Sequence, residues 1–577
     1  MSKEYCNPLN LEYKFQHYGG NAHREAADPT IILFKDKYYL FTSMTAGFYY
    51  SDDLVNWKYH ENRNVDMYRY APDVRQIGEY LYFSASTRNN PSTFWRTLDP
   101  LSDNFEKVSE PFAFWDPNLF EDDDGRVYFY WGCGNREPIW GIELDKETML
   151  PIGEKVACFD QDKDRHGWER FNYPGKEKSS RKGLVGLIMK YLNRKGRPYM
   201  EGAFMNKWNG KYYLQYAAPG TEFPIYGDGY YVSDKPLGPF TFMPNTPFSL
   251  KPTGFITGAG HGSTIEDKDG NIIHASTMRI SVNQNFERRI GLFPSGIDED
   301  GLLSCNQNFA DYPIVLPDGK YDARDIKPQY MLLSYKKKAE ASSCKDNHPV
   351  ELALDENIRT WWAAKETNAW YLLDLEDVYK PHSIQINFAE NDVAELKVDR
   401  SLRSDVMTNM RYIDSSKDLK TRFIVEGSLD KENWFMIYDG SKLEDDRSHP
   451  YIILDEKYEL RYIKITALEL PYNEVFALSG LRVFGKGNGS IPKKVDNVTL
   501  TRDSNRLDCL VKFDKVPDAI GYNVRYGIAK DKLYSSYLIY EKNEILVTTL
   551  NADQDYYFTI DSFNENGINE GTDIFKV

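Results

Sequence analysis

The stretch Asp28-Pro-Thr-Ile-Ile-Leu-Phe-Lys-Asp-Lys-Tyr-Tyr-Leu-Phe-Thr-Ser reads as an apolar strand, a polar turn and an aromatic strand, with a carboxylate just ahead of the first strand. Strand, tight turn, strand is a β-hairpin. The pattern returns at Ala71-Pro-Asp73, closing on Gly78-Glu-Tyr80-Leu-Tyr-Phe-Ser, and at Asp116-Pro-Asn-Leu-Phe, closing on Asp124-Gly-Arg-Val-Tyr-Phe-Tyr. A further copy runs from Glu201-Gly-Ala-Phe through Asn209-Gly-Lys-Tyr-Tyr-Leu, and a degenerate one from His261-Gly-Ser-Thr-Ile through Asp269-Gly-Asn-Ile-Ile-His. Hairpins repeated in this way are the sequence signature of a five-bladed β-propeller, one copy per blade. The propeller is expected over residues 1–320. Equivalent positions of the blades meet around one axis, so Asp28, Asp116 and Glu201, which open three of the copies, are expected to converge.

The remainder of the chain has a different texture. Between 330 and 486, short alternating segments such as Trp370-Tyr-Leu-Leu-Asp-Leu, Arg422-Phe-Ile-Val-Glu-Gly and Arg461-Tyr-Ile-Lys-Ile-Thr lie between turn residues, the pattern of a β-sandwich. Lys486-Gly-Asn-Gly-Ser-Ile-Pro is a Gly-rich linker. A second, smaller sandwich is expected over 493–577, around Gly521-Tyr-Asn-Val-Arg-Tyr-Gly and Tyr556-Tyr-Phe-Thr-Ile-Asp. The fold class is therefore all-β. The long gap from 140 to 200, with Gln161-Asp-Lys-Asp-Arg-His-Gly and Lys176-Glu-Lys-Ser-Ser-Arg-Lys, reads as a solvated insertion, with a substrate lid as the alternative.

Composition narrows the partners. A formal net charge of −16 argues against nucleic acid and anionic membrane surfaces. No apolar run approaches the roughly 20 residues of a membrane span. Aromatic residues make up 15% of the chain, including 42 Tyr, which suits strands and also suits flat sugar rings. The six cysteines have neither metal-ligand spacing nor a pairing pattern and read as buried free thiols. Met1-Ser-Lys-Glu-Tyr lacks signal-peptide character.

Two carboxyl groups on either side of a glycosidic bond are the usual equipment for hydrolysing it, one protonating the leaving oxygen and the other activating water. If a water stands between them, they lie roughly 6.5–9.5 Å apart and the anomeric centre inverts. With Asp28-Pro, Asp116-Pro-Asn-Leu-Phe and Glu201-Gly-Ala-Phe in this order, residues 1–320 resemble glycoside hydrolase family 43, whose members are five-bladed propellers. The resemblance implies Asp28 as general base, Asp116 as the residue that orients the acid and tunes its pKa, and Glu201 as general acid. Asp73 matches a second-blade Asp outside the catalytic three, and Asp122, Asp123 and Asp124 are turn residues. Tyr70 stands where the family usually has Trp. Retention of Asp28 argues against an exo-galactanase.

The same resemblance implies further site residues. His261 matches an axial histidine that contacts calcium or bracing waters; a hydrogen-bonded structural histidine is the other reading. Arg289 matches a last-blade arginine that pairs with the catalytic acids. Arg288 is its rival, because alternation sends the two to opposite faces of a strand. Trp115, Phe48 and Trp131 are candidate sugar platforms, with core packing as the competing role. No cofactor is required for the chemistry, and a structural calcium is the one ion in question. Residues 330–486 resemble a discoidin (coagulation factor V/VIII type C) domain, on Ala353-Leu-Asp-Glu-Asn, Thr360-Trp-Trp-Ala-Ala, Val425-Glu-Gly-Ser-Leu-Asp, Trp434 and Leu481-Arg-Val-Phe-Gly. Residues 493–577 resemble a fibronectin type III domain.

These features imply an inverting, exo-acting glycoside hydrolase that releases α-L-arabinofuranose from plant cell-wall polysaccharide or oligosaccharide. A β-D-xylosidase is the alternative. An endo-arabinanase and a propeller that binds glycan without cutting it rank lower. The substrate class points to a secreted or periplasmic protein with its signal peptide trimmed; a cytoplasmic oligosaccharide hydrolase is the alternative.

Overall fold

A computed structural model describes residues 3–18, 21–67, 69–87, 90–175, 197–391, 393, 403–404, 411–414, 416–455 and 458–577. The basic stretch 176–182 lies outside them.

Sheets of four antiparallel strands form blade I (Thr30–Phe34, Lys37–Phe41, Gly47–Ser51, Lys58–Glu61) and blade II (Asp73–Ile77, Tyr80–Ser84, Phe94–Thr97, Glu106–Ser109). Blade III (Asn118–Glu121, Val127–Trp131, Ile139–Leu144, Pro151–Phe159) and blade IV (Glu201–Trp208, Lys211–Ala218, Gly227–Ser233, Thr241–Phe242) repeat the arrangement. Blade V takes Thr257–Glu266, Ile272–Arg279 and Arg288–Ile297 from one end of the propeller segment and Asn21–Glu25 from the other. The join is a parallel pairing of Arg288 with Glu25, which closes the ring. The first strand of each blade touches the first strand of the next, and blade V returns to blade I. Two of the hairpins turn on residue pairs with positive φ at both positions, Lys35-Asp36 and Asn209-Gly210. Such turns match the twist of the strands they join.

One backbone feature recurs in every blade. Asp28 (φ 49°), Ala71 (44°), Asp116 (50°), Gly202 (65°) and His261 (48°) are left-handed. Each lies two residues before the point where regular pairing begins or resumes, at Thr30, Asp73, Asn118, Phe204 and Ser263. Four of the five are not glycine, and each such residue costs on the order of 1–3 kcal/mol. The fold carries this strain at the one level where the blades meet.

Residues 331–485 form two five-stranded antiparallel sheets, one around Pro381–Phe388 and Ala477–Gly485, the other around Trp370–Tyr379, Arg422–Ser428 and Leu460–Glu469. A single apolar core holds Trp362, Tyr371, Ile384, Phe423, Ile463 and Leu481 between them. Trp362 is fully buried there. The last segment pairs Thr499–Arg502, Cys509–Lys512 and Glu544–Val547 in one sheet. A second sheet is built on Gly521–Gly527 and Tyr557–Asn564, with a core of Tyr522, Val524, Tyr526 and Phe558.

The three units are joined by buried contacts. Cys6, Phe309 and Tyr312 of the propeller share one apolar cluster with Leu332 and Phe484 and with Leu538 and Phe563. The strand Arg411–Ile413 pairs with Lys14–Tyr18. The expectation of a solvated insertion holds for the charged residues 160–165, which are exposed or half-buried, and fails for the segment from His166 to Phe171. Trp168 and Glu169 are fully buried, and Trp168 packs on Tyr216 at 5.3 Å. His166 bridges to Asn551, and the Gly167 amide donates to the Leu550 carbonyl at 2.9 Å. Its apolar residues wedge between blade IV and the C-terminal unit, which a charge-weighted reading of the segment does not reveal.

Candidate active site

The left-handed residues put side chains of blades I, III and V into one cluster. Asp28 Oδ2 accepts from the Ser43 hydroxyl at 2.5 Å and Oδ1 from Arg288 Nη1 at 3.0 Å. The Arg288 guanidinium also donates to Glu25. Asp116 Oδ1 accepts from Ser86 at 3.2 Å and Oδ2 from the Gly202 amide at 3.2 Å. His261 Nδ1 lies 3.5 Å from Asp28 and 3.8 Å from Asp116, between the two carboxyls.

Blade IV departs from the repeat in a useful way. Its acid, Glu201, stands one residue before the left-handed position, which is Gly202. A Cβ on Gly202 would meet the His261 ring at 2.8 Å. The left-handed angle is borne by Asp, Ala, Asp and His in the other blades, so it is the imidazole contact that calls for glycine here. Glu201 Oε1 accepts from the Tyr226 hydroxyl at 2.6 Å, and Oε2 from the Cys133 thiol at 3.3 Å. Asp116, Cys133 and Glu201 each bring one polar atom within 4.8 Å of the others.

The electrostatics follow from burial and like charge. Burial pushes the Asp116 carboxyl up to about 7; the charges of Glu201 and Asp28 add to this, and His261 and the Gly202 amide oppose it. Burial works against protonated His261, yet Asp28, Asp116, Glu201 and Asp228 outweigh it and raise its pKa. Burial and the neighbouring carboxyls Asp116 and Glu201 hold Cys133 as a thiol. A calcium ion asks for about six to eight oxygen ligands. The carboxyls beside His261 are already bonded to Ser43, Arg288, Ser86 and Gly202. That donor set fits an imidazolium and does not assemble a calcium shell.

Other expected residues go elsewhere. Arg289 turns from the axis toward the sandwich, donating to His449 Nε2 at 2.8 Å and to the Arg24 carbonyl at 2.9 Å. Arg288 takes the place at the acids, because its pairing with Glu25 in blade V sets the facing of the strand. Phe48 is fully buried and stacked on Phe41 at 4.5 Å, so it is core and not a sugar platform. Trp131 stacks on Phe129 at 5.4 Å and packs on Phe112 at 5.2 Å, between blades II and III. Trp115 is half-buried beside Asp116 and packs with Met44, Ala46, Tyr70 and Ile413, forming a wall of the site. Asp73 spends both oxygens on blade III, accepting from Asn118 Nδ2 at 2.9 Å and the Leu119 amide at 2.7 Å. Tyr226 and Cys133 are site residues that sequence reasoning did not single out; Tyr226 is one of 42 tyrosines in unexceptional context.

The family model for glycosyl hydrolases family 43 matches residues 22–303. A β-xylosidase of Xylanibacter ruminicola is 29% identical over 138 residues, 22% of this chain and 39% of that protein. An arabinoxylan arabinofuranohydrolase of Paenibacillus polymyxa is 26% identical over 279 residues, 38% of this chain and 40% of that protein. A solved structure described as a glycoside hydrolase aligns with a TM-score of 0.45 at 18% identity, covering 81% of this chain and all of that one. The chain spans 39–64% of the length of the curated relatives it matches.

Proposed function

Residues 22–303 being a family 43 glycosyl hydrolase domain, we propose that the protein is an inverting, exo-acting glycoside hydrolase that releases terminal α-L-arabinofuranose. The observation that supports hydrolase chemistry is the meeting of Asp28, Asp116 and Glu201 from three blades, with His261 between the first two; the sugar and the stereochemistry rest on the family resemblance. Glu201 is the general acid. Among the described residues its partners are the neutral Tyr226 and Cys133, with no cation bonded to the group that must donate a proton. Asp28 is the general base, held in place by Ser43 and Arg288 while it takes the proton of the attacking water. Asp116 orients the acid through the Gly202 amide next to it and adds a nearby charge when ionised. These residues complete the reaction without a cofactor.

A β-D-xylosidase is the second reading, favoured by the name of the Xylanibacter ruminicola relative. We further propose that residues 330–486 are a discoidin-like domain and 493–577 a fibronectin type III-like domain, on the motifs quoted above. Plant cell-wall polysaccharide or its oligosaccharides are the proposed substrates, and export is the proposed location. Among the described residues no helix is long and apolar enough to cross a membrane.

The test is release of 4-nitrophenol from α-L-arabinofuranosides and β-D-xylosides, with Glu201→Gln and Asp28→Asn alongside. Both substitutions should lower turnover by about 10²–10⁴-fold with the fold intact. Proton NMR of the first-formed sugar should show the inverted anomer. Unchanged turnover in Glu201→Gln sinks the assignment. Glycan binding without cleavage makes the propeller a lectin.

A further inference from the structure

The two oxygens of Glu201 meet partners of very different strength. The Tyr226 hydroxyl donates to Oε1 at 2.6 Å, at the short end for such bonds. The Cys133 sulfur, a weak donor and a weak acceptor, lies 3.3 Å from Oε2. We propose that Tyr226 and Cys133 are positioning residues that decide which oxygen of Glu201 carries the transferable proton, Tyr226 claiming Oε1 and leaving the proton on Oε2. The inference rests on Glu201 being the general acid.

A protonated carboxyl has one carbonyl oxygen and one hydroxyl oxygen. A phenol donor is best received by the carbonyl oxygen, which places the acid proton on the other. Tyr226 keeps its own proton, because burial above all, with the charge of Asp28, raises its pKa well above 10. The proton on Oε2 then faces a sulfur too weak to retain it. In the reaction the Oε2–H bond breaks and the proton passes to the glycosidic oxygen. That oxygen keeps the electron pair of the cleaved C–O bond, and the water attacking the sugar gives its proton to Asp28. As Oε2–H breaks, Glu201 becomes an anion and the bond from Tyr226 strengthens, since a charged acceptor binds a donor more tightly. The clamp thus favours the transition state over the ground state.

The surroundings hold Tyr226 still. Its side chain is fully buried, and a Cβ on Gly260 would come within 2.8 Å of its ring. Its amide donates to the Phe223 carbonyl at 3.1 Å. Phe223 and Ile225 of the same turn pack with Phe171, Tyr173 and Leu250, so the segment before residue 176 supports the residue that clamps the acid.

The test compares aryl glycosides with poor and good leaving groups, phenyl against 2,4-dinitrophenyl, on the sugar the enzyme accepts. Dinitrophenolate departs without a proton, so only the phenyl substrate needs the acid. Tyr226→Phe should slow the phenyl substrate by about 10–100-fold and the dinitrophenyl substrate by less than about threefold. The alkaline limb of its pH–rate profile should move to higher pH, because a lost donor disfavours the ionised form. Cys133→Ser, which places a stronger hydrogen-bonding group at Oε2, should slow the phenyl substrate several-fold more than Cys133→Ala does. Equal slowing of both substrates by Tyr226→Phe, or none, overturns the clamp. If Tyr226→Phe fails to fold, the Cys133→Ser and Cys133→Ala pair decides, and equal rates in the two overturn it. Glu201→Gln separates the levels. Leaving-group dependence there, without any in Tyr226→Phe, removes the clamp alone, whereas its absence in Glu201→Gln removes the acid assignment beneath it.

Discussion

Arg288 and Arg289 are consecutive, fully buried, and belong to two charge clusters of opposite design. Arg288 opens onto the blade axis, with Asp28 and Glu25. Arg289 opens onto the seam with the sandwich, where Arg24 donates to Glu390 at 2.7 Å and to Asp446 at 2.8 Å. At the seam, His449 is held well below its usual pKa by burial and by Arg289 and Arg24, so it accepts as a neutral base. Its cations are matched to fixed acceptors. At the axis, Glu201 is bonded only to neutral groups among its described partners, and Asp116 is pushed up to about 7. The seam arginines are tied to fixed acceptors, whereas the axis keeps an acid, Glu201, bonded to neutral groups.

The sharpest way to break this contrast is to remove each arginine in turn. Arg288→Met should lower kcat/KM by about 10–100-fold, because Asp28, the proposed base, loses a charge-assisted partner worth about 1.5–3 kcal/mol. Arg289→Met should leave kcat within about threefold and cost about 3–5 kcal/mol of stability, since it strands buried partners. Steady-state kinetics and denaturant unfolding read the two effects. Equal loss of activity in both variants would merge the clusters into one functional unit.

Gly202→Ala probes the axis without changing any charge. The added methyl would meet His261 at 2.8 Å and would have to adopt φ 65°. His261 must shift, and with it the imidazole that stands between Asp28 and Asp116. We expect about a tenfold fall in kcat with KM little changed, checked on the better nitrophenyl substrate. An unaltered kcat would mean that the imidazole has room to spare.

Much of this was readable before the structure. The hairpin repeat carries the propeller because its turns and aromatic alternation are local, and local signals survive in sequence. The convergence of Asp28, Asp116 and Glu201 follows from the repeat itself. Alternation also says that Arg288 and Arg289 face opposite ways, but which one meets the acids depends on the pairing of Arg288 with Glu25, 263 residues apart. Phe48 sits beside Phe41 through a strand pairing that hides it, while the same aromatic in an exposed register would be a platform. Cys133 and Tyr226 acquire meaning only from their distance to Glu201. Trp168 was hidden by the charges around it in sequence.

The two clusters should also differ from other parts of the molecule in how stability responds to pH. Asp116 at the axis and Glu287 at the seam are each raised to about 7, Asp116 by burial and the carboxylates Glu201 and Asp28, Glu287 by burial and Glu390. Unfolded, such groups titrate near 4. The folded state therefore keeps protons that the unfolded state has released. Stability from these groups is fully present below about pH 4 and is lost as pH rises through about 7. His261, raised as well, adds to the loss as pH rises. The thermal midpoint should fall between pH 5 and pH 8, and Asp116→Asn and Glu287→Gln should each flatten that fall. A double variant with the wild-type slope would show that neither group holds its proton.

The smallest expected effect lies where the clusters' neighbourhoods meet. Ile413 comes from the sandwich segment, yet it is fully buried against Met44, Ala46, Tyr70 and Trp115, the wall beside Asp116. Tyr70 in turn stands 5.7 Å under the Arg288 guanidinium. Ile413→Ala would remove buried methyl groups at a cost of about 2–4 kcal/mol if the wall does not relax. Relaxation would let Tyr70 and Trp115 tilt, changing the shape that a sugar meets without touching a carboxyl. KM should rise a few-fold with kcat unchanged, and the pH–rate profile should stay in place. A change in kcat or in the alkaline limb would mean that the sandwich reaches the proton-transfer groups themselves, and the division between seam and axis would have to be redrawn.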